Sequence, residues 1–397
     1  MKVLLVFGTR PEAIKVAPIV RVGRQERSLD LRVCVTGQHH EILNQALDFF
    51  EIEPDWRLDV MRPNQDLSSL TSRILDALRP VLLRERPDMV LVQGDTTTAF
   101  AASLAAFYER IPVAHVEAGL RTDDLSSPFP EEGMRQLVTR LATLHFAPTE
   151  RNRASLVSEG IAPNRIFVTG NTVVDAIRWV RNKRAQQTFC SDGQVHREPW
   201  WKRVFAASRI ALVTSHRRES FGGGLKKICS ALITLSRQHE NLLIVFPVHP
   251  NPNVRGPVES LLSHHRNILL LPPLSYPDFI LLMDRSALII SDSGGVQEEA
   301  TALGKQLLLT RDRTERLEAV NSGNVHLVGA NPKRLVQAAN QMFAREGRPG
   351  VHRTTATNPY GDGYAAEKIV RIISAAAADQ RDSRTGIAAT QLSAMTA

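Results

Sequence analysis

Short apolar runs alternate with longer segments of helical pattern through most of the 397-residue chain. The runs are rich in Val, Ile and Leu, as strands buried on both faces are, and the segments between them are long enough for right-handed crossovers. This alternation predicts an α/β protein whose parallel sheets are covered by helices on both sides. The predicted strands are Lys2–Phe7, Leu31–Thr36, Met89–Gln93, Val113–Glu117, Leu144–Ala147, Arg165–Thr169, Arg209–Thr214, Asn241–Pro247, Ile268–Leu271, Ala287–Ser291 and Gln306–Leu309. The predicted helices of the first half are Glu12–Arg24, His40–Phe50, Leu67–Glu85, Thr97–Glu109 and Glu131–Ala142.

The length of the chain exceeds that of one typical core, so two doubly wound, Rossmann-like domains are expected. We predict a first domain over residues 1–170 and a second over residues 171–365. The stretch Trp179–Ser208 is polar and basic, and we predict a helix followed by an irregular connection there. Residues 381–397 mix Ala, Ser, Thr and Arg without periodicity, which predicts a disordered tail.

One stretch of the second half has the order that an anion site requires. An apolar strand, Ala287–Ile290, enters the small-residue turn Ser293–Gly295, and a helix is predicted from Val296 to about Leu303. The first N–H groups of a helix lack partners and are partly positive, and glycines let a phosphate approach them. No Glu or Gln stands three residues after Ser293, so the usual capping box is absent. An ordinary strand-to-helix turn capped by Ser293 would give the same pattern.

Composition and charge restrict the classes of partner. The net charge of +8 admits a nucleic acid or a membrane surface, but only 6% of residues are aromatic and no basic stripe interleaves with them. A substrate that carries phosphates explains a basic protein equally well. No apolar run approaches the roughly 20 residues of a membrane span, and the chain opens directly into a predicted strand without a signal-like leader. We therefore expect a cytoplasmic protein with neither nucleic acid nor membrane as a partner.

The sequence lacks the usual signatures of metal and cofactor sites. Its cysteines, Cys34, Cys190 and Cys229, are far apart and form no CxxC pair, as is common in a reducing compartment. The chain has no HxxxH, and the arginines inside the one HxxE, His216 to Glu219, would oppose a cation. Neither GxGxxG nor GxxxxGK[ST] occurs. We expect no metal and no dinucleotide cofactor.

Polar residues follow most of the predicted strands, at the sheet edge where ligands bind in parallel sheets. Each residue has a structural alternative: Asp95 can be a helix N-cap, a lone histidine can be a packing residue, and Glu131 can be a favourable charge in a first helical turn. Together they predict a cleft where two such edges face each other and where burial tunes proton transfer. These residues include Arg10, Asp95, Glu117, Glu131, His216, Arg217, His249 and Arg316.

The motifs around these residues, taken in order, resemble those of the non-hydrolysing UDP-N-acetylglucosamine 2-epimerases. No single motif is specific, but the ordered set is, and it covers roughly residues 1–375. The matching segments are Gly8–Lys15, Thr36–His39, Gly94–Thr96, Val116–Arg121, Phe129–Glu132, Thr214–Glu219, Asp292–Glu299 and Asn358–Gly363.

This resemblance implies a two-domain fold of the glycosyltransferase-B type, with a UDP-sugar in the cleft. It further implies that residues 366–380 form a helix that crosses back to the first domain, and that the protein is a homodimer. The family interconverts UDP-GlcNAc and UDP-ManNAc without NAD or metal. UDP is eliminated as the C2 proton leaves, a 2-acetamidoglucal forms, and UDP adds back after reprotonation from the other face.

The family's functional residues carry over by position. Asp95, Glu117, Glu131 and His216 match its catalytic acid–base set, with no assignment of an acid to a face of C2. Residues that match substrate-binding groups are Arg10, Lys15, Arg135, Arg217, Phe279, Ser293, Gly294, Gly295, Glu299 and Arg316. Among these, Glu299 matches the ribose-binding carboxylate and Phe279 the aromatic residue beside uracil. Gln38, Arg73 and His249 match residues that bind a second, activating UDP-GlcNAc in some bacterial members.

Other activities fit the same motifs. A hydrolysing relative would release ManNAc and UDP, and a glycosyltransferase would pass the sugar to an acceptor. A catalytically silent UDP-sugar sensor is a further alternative, against which the intact acids argue. Met134 stands where the family more often has Asn and adjoins Glu131 on one helical face, so a different UDP-sugar is a further alternative substrate. The leading hypothesis is the epimerase, feeding N-acetylmannosamine-type sugars into surface polysaccharide.

Overall fold

A computed structural model describes residues 1–37, 40–62, 65–188, 199–215, 222–345 and 358–376. The chain divides into two compact units. The first comprises Met1–Ala176 together with the described residues from Gly361 onward, and the second comprises Ile177–Tyr360. Each unit is built on one parallel sheet whose successive strands are joined through helices. The predicted α/β class with two doubly wound sheets is confirmed.

The first unit contains a sheet of seven parallel strands in the order β3-β2-β1-β4-β5-β6-β7. The order reverses between β1 and β4, whose residues Val3 and Met89 are register partners. Ligands of doubly wound sheets bind beyond the strand ends at such a reversal. The strands are β1 (Lys2–Phe7), β2 (Asp30–Val35), β3 (Trp56–Arg57), β4 (Met89–Gln93), β5 (Val113–Val116), β6 (Leu144–Ala147) and β7 (Ile166–Val168). The helices are α1 (Arg10–Gln25), α2 (His40–Phe49), α3 (Leu67–Glu85), α4 (Thr97–Tyr108), α5 (Glu131–Leu141), α6 (Glu150–Ser158) and α7 (Thr172–Thr188), the last of which continues into the second unit.

The final described segment, residues 365–376, is helical and belongs to the core of the first unit. Its side chains Ala366, Ile369, Val370 and Ile373 are buried in the same cluster as those of β1 and α1. The carboxylate of Asp175 accepts the backbone N–H groups of residues 365 and 366. A side chain of α7 therefore caps the N-terminus of this helical segment.

The second unit contains six parallel strands in the order β10-β9-β8-β11-β12-β13. Its order reverses between β8 and β11, where Thr214 pairs with Ser291 at the carboxyl ends of the strands. The strands are β8 (Arg209–Thr214), β9 (Leu242–Pro247), β10 (Ile268–Leu271), β11 (Leu288–Ser291), β12 (Leu307–Leu309) and β13 (Val325–Leu327). The helices are α8 (Trp200–Ala206), α9 (Gly223–Gln238), α10 (Pro252–Leu262), α11 (Tyr276–Arg285), α12 (Gly294–Ala302), α13 (Leu317–Asn321) and α14 (Pro332–Arg345).

Several elements differ from the predicted ones. The α8 helix lies within a stretch predicted to be irregular; Trp201 and Phe205, one turn apart, stack with ring centroids 5.3 Å apart. The α12 helix begins at Gly294, two residues before the predicted start. Residues 377–397, which include the predicted tail, lie outside the described residues.

Candidate active site

A buried ion pair lies where β1, β4 and β5 end. Glu117 follows β5 in the left-handed region of backbone space, with φ of 67°. Its Oε2 accepts from Nζ of Lys15 at 2.5 Å and from Nε2 of Gln93, the last residue of β4, also at 2.5 Å. A non-glycine residue in this backbone region is uncommon and often marks a functional position. The structure thus brings Glu117, a predicted acid–base residue, together with Lys15, a predicted substrate-binding residue.

Asp95 follows β4 after Gly94, and the hydrogen bonds that its carboxylate accepts from the described residues all go to one oxygen, Oδ2. Arg135 on α5 donates to Oδ2 through Nε at 3.0 Å and through a second guanidinium nitrogen. Among the described residues, Oδ1 accepts no hydrogen bond, and the side chain is 25% exposed. The helix N-cap is its neighbour Thr96, which accepts from the backbone N–H of Ala99 at 3.1 Å. Asp95 is therefore not a capping residue, and its Oδ1 is placed to accept a hydrogen bond from a ligand.

The adjacent acids Glu131 and Glu132 differ in their surroundings. Glu131, the first residue of α5, is half-buried and has neither a hydrogen bond nor an ion pair within the described ranges. Glu132 is completely buried and accepts from Arg135 and from the backbone N–H of Thr122. Only Glu131 of this pair resembles a group available to a ligand.

Two buried residues that sequence reasoning missed support these turns. Glu12 accepts the backbone N–H of Thr9 at 2.8 Å and the hydroxyl of Thr96 at 2.7 Å, so it links the turns after β1 and β4. Burial raises the pKa of Glu12 above its usual range. His115 on β5 hydrogen-bonds the Gly94 carbonyl through Nε2 at 2.8 Å, and burial lowers its pKa to about 3. Its imidazole is therefore neutral near pH 7 and donates from Nε2 to the residue before Asp95.

The predicted anion-binding turn of the second unit lies between β11 and α12. Ser293 is the N-cap residue of α12, and its side chain makes no capping hydrogen bond. A Cβ added at Gly295 would meet no atom within 4 Å, so the backbone there faces open space. The start of α12 therefore combines a helix N-terminus with room for a ligand, which is the arrangement that favours a bound phosphate.

Arg316 lies directly against this turn. A Cβ at Gly294 would stand 2.8 Å from its Nη1 and 3.1 Å from its Cζ. The guanidinium is held by Glu298, which accepts from Nε at 2.6 Å, and by Glu315. Because these side chains are all buried, the cation is fixed in position beside the first turn of α12.

The remaining predicted residues lie on or after several different elements. Glu299 is buried one turn into α12, Phe279 is half-buried on α11, and Arg10 is the half-buried first residue of α1. Arg73 donates to the side chain of Gln65 at 2.7 Å, and His249 is exposed after β9. Three predicted residues lie outside the described residues, namely Gln38, His216 and Arg217. The roles assigned to all these residues stay predictions.

The described part of the chain offers no site for a metal. No group of three or more His, Cys, Asp or Glu side chains within it could hold an ion. Among the described helices, none is both long and apolar enough to cross a membrane.

Comparison with known proteins gives consistent results. A sequence model of the family described as UDP-N-acetylglucosamine 2-epimerase matches residues 22–374. The UDP-N-acetylglucosamine 2-epimerase of Yersinia pestis is 53% identical over 374 residues, covering 94% of this chain and 98% of that protein. The crystal structure of UDP-GlcNAc 2-epimerase from Neisseria meningitidis bound to UDP-GlcNAc is 44% identical, with a TM-score of 0.86 over 94% of this chain and 99% of that one.

A more distant neighbour extends the fold relationship. The structure of the glycotransferase of kitacinnamycin has a TM-score of 0.57 at 12% identity, over 94% of this chain and 95% of that one, which shows a shared fold alone. The predicted fold type, common to these epimerases and a glycosyltransferase, is confirmed. The family prediction is confirmed as well, because the family match spans most of the chain and the relatives are covered almost completely. The chain belongs to the UDP-N-acetylglucosamine 2-epimerase family.

Proposed function

We propose that the protein reversibly epimerises UDP-N-acetylglucosamine at C2 to UDP-N-acetylmannosamine without net hydrolysis. Family membership supports the activity, and the relative from Neisseria meningitidis is described as bound to UDP-GlcNAc. The observation that carries the proposal is the pair of carboxylates after adjacent strands, Asp95 after β4 and Glu117 after β5, each with one oxygen engaged by a cation. Proton removal at one face of a carbon and return at the other needs two such groups.

The reaction balances as an elimination followed by an addition. A carboxylate takes the C2 proton, the C–H electron pair forms the C1–C2 double bond, and the C1–O bond breaks with its electrons passing to the diphosphate of UDP. A second acid then protonates C2 from the opposite face as UDP adds back to C1. Because the C2 proton is only weakly acidic, its removal depends on stabilising the departing diphosphate.

Groups of the second unit are suited to hold that diphosphate. The N-terminus of α12 with its Ser293–Gly295 turn supplies backbone donors, and Arg316 supplies a fixed positive charge. We assign Glu299 to the ribose hydroxyls and Phe279 to the uracil, in keeping with the family resemblance. Arg10, Arg135, Arg217 and His216 keep their predicted roles.

A second UDP-GlcNAc bound through Gln38, Arg73 and His249 would activate the enzyme. Saturating kinetics in UDP-ManNAc alone, with no lag and no response to trace UDP-GlcNAc, would contradict such activation. A homodimeric, cytoplasmic enzyme that feeds surface polysaccharide synthesis completes the proposal.

Proton NMR of the protein with UDP-GlcNAc in D2O tests the function. We expect deuterium at C2 of both UDP-GlcNAc and UDP-ManNAc, because each proton transfer exchanges with solvent. Accumulation of free ManNAc and UDP would instead identify a hydrolysing enzyme. No change in the sugar without an added acceptor would contradict epimerisation and favour a glycosyltransferase.

A further inference from the structure

Glu132 is a buried charge that the proposed proton transfers do not use. It is completely buried, and its Oε2 accepts from Nη1 of Arg135 at 2.9 Å and from the backbone N–H of Thr122 at 3.2 Å. Its Oε1 accepts from Nε2 of Gln136 at 2.9 Å. Removing a carboxylate from water is costly unless several donors replace the water, as they do here.

Arg135 connects this carboxylate to Asp95. A guanidinium is planar and rigid, so fixing one of its nitrogens restricts the direction of the others. Nη1 is directed to Glu132, while Nε and a further nitrogen are both directed to Oδ2 of Asp95. The contact with Glu132 thus restricts the direction from which the guanidinium approaches the carboxylate of Asp95.

We infer that Glu132 is a positioning residue of the reaction. Through Arg135 it turns Oδ2 of Asp95 toward the guanidinium and leaves Oδ1 for proton transfer. The inference rests on the proposed function. A purely structural role, in which Glu132 only ties the segment at Thr122 to α5, makes a different prediction: substitution would then lower stability and leave the chemical step of folded protein unchanged.

The Glu132→Gln variant separates these roles because it keeps the side-chain size and removes the charge. We expect kcat for epimerisation to fall about tenfold, since a misoriented catalytic group slows the chemical step. The Kd for UDP should stay within about twofold of wild type, because none of the groups assigned to the diphosphate, the ribose or the uracil is removed or displaced. Gln136→Met is the matched control: it removes the donor to Oε1, leaves the contact with Arg135, and should keep kcat within about twofold.

A double variant tests whether Glu132 acts through Arg135. We expect Glu132→Gln to lower kcat less than about twofold in an Arg135→Lys background, because residues that act in series are non-additive. A tenfold loss that persists in that background would overturn the inference, as would wild-type kcat in Glu132→Gln or a loss expressed only in KM.

A conservative variant keeps the inference testable if Glu132→Gln fails to fold. Glu132→Asp retains the charge but shortens the side chain by one methylene, and we expect kcat to fall several-fold while the Kd for UDP stays unchanged. Wild-type kcat in this variant would overturn the inference. Failure of the proposed function is distinguishable, because the wild-type protein would then show no exchange at C2.

Discussion

Gly294→Ala tests the assignment of the diphosphate site through a single methyl group. The new Cβ would lie 2.8 Å from Nη1, 3.1 Å from Cζ and 3.4 Å from Nη2 of Arg316. Non-bonded atoms prefer separations of about 3.5–4.0 Å, so the guanidinium must move by roughly 0.5–1 Å. That movement strains the hydrogen bond that Nε of Arg316 donates to Glu298, which is 2.6 Å long. Gly294 is the first residue of α12 and has no positive φ, so alanine itself is compatible with the backbone.

The expected result is a loss of affinity for UDP without a loss of folded protein. Charge-assisted hydrogen bonds contribute about 1.5–3 kcal/mol, so misplacing Arg316 should weaken binding at least about tenfold, which is about 1.4 kcal/mol. Isothermal titration with UDP measures the effect. Gly256→Ala is the matched control, since Gly256 lies on α10 and a Cβ there would meet no atom within 4 Å. Equal UDP affinity in the two variants would refute the placement of the diphosphate beside Arg316.

Three further predictions concern the first unit. Asp95→Asn and Glu117→Gln should each lower the turnover rate at least about 100-fold while the affinity for UDP stays within a few-fold of wild type. NMR measures the turnover rate, and isothermal titration measures the affinity. Rates like those of wild type in both variants would refute the catalytic assignment. Lys15→Met removes the buried ammonium that pairs with Glu117 and should lower the free energy of unfolding by about 3 kcal/mol. Part of this loss should be recovered when Lys15→Met is combined with Glu117→Gln. Denaturant unfolding that shows no loss of stability in Lys15→Met would contradict the prediction. Burial raises the pKa of Asp175 from 3.8 to about 6, so between these pH values the folded protein holds a proton that the unfolded chain releases. The free energy of unfolding should therefore fall as pH rises from about 4 to 6, and Asp175→Asn should remove this part of the pH dependence. Unfolding free energies that change equally with pH in the two proteins would count against this prediction.

The sheets could be predicted from the sequence because their central strands are buried on both faces. Such strands appear as uninterrupted apolar runs, and β1, β4 and β8 begin and end at the predicted residues. The edge strands β3 and β13 were missed. They contain two and three residues and pair on one side only, which is too short for a periodic pattern to emerge.

The candidate site could be predicted only as far as chain position determines it. Residues directly after strands, such as Asp95 and Glu117, are recognisable because the carboxyl ends of parallel strands share one edge. The different surroundings of Glu131 and Glu132 depend on which partners the folded chain brings to each carboxylate. His115 offers a faint signal, since it is a polar residue within an apolar strand, but its contact with the Gly94 carbonyl arises only from strand pairing.

In the proposed reaction, UDP leaves C1 of the sugar and then returns to it. This departure and return can be detected with UDP-GlcNAc that carries ¹⁸O in the oxygen bridging C1 and the β-phosphorus. Cleavage of the C1–O bond frees the β-phosphate to rotate, so ³¹P NMR of recovered UDP-GlcNAc should show the label in non-bridging positions as well. If the label stays wholly in the bridging position while C2 exchanges its proton with solvent, UDP does not leave C1 during the reaction.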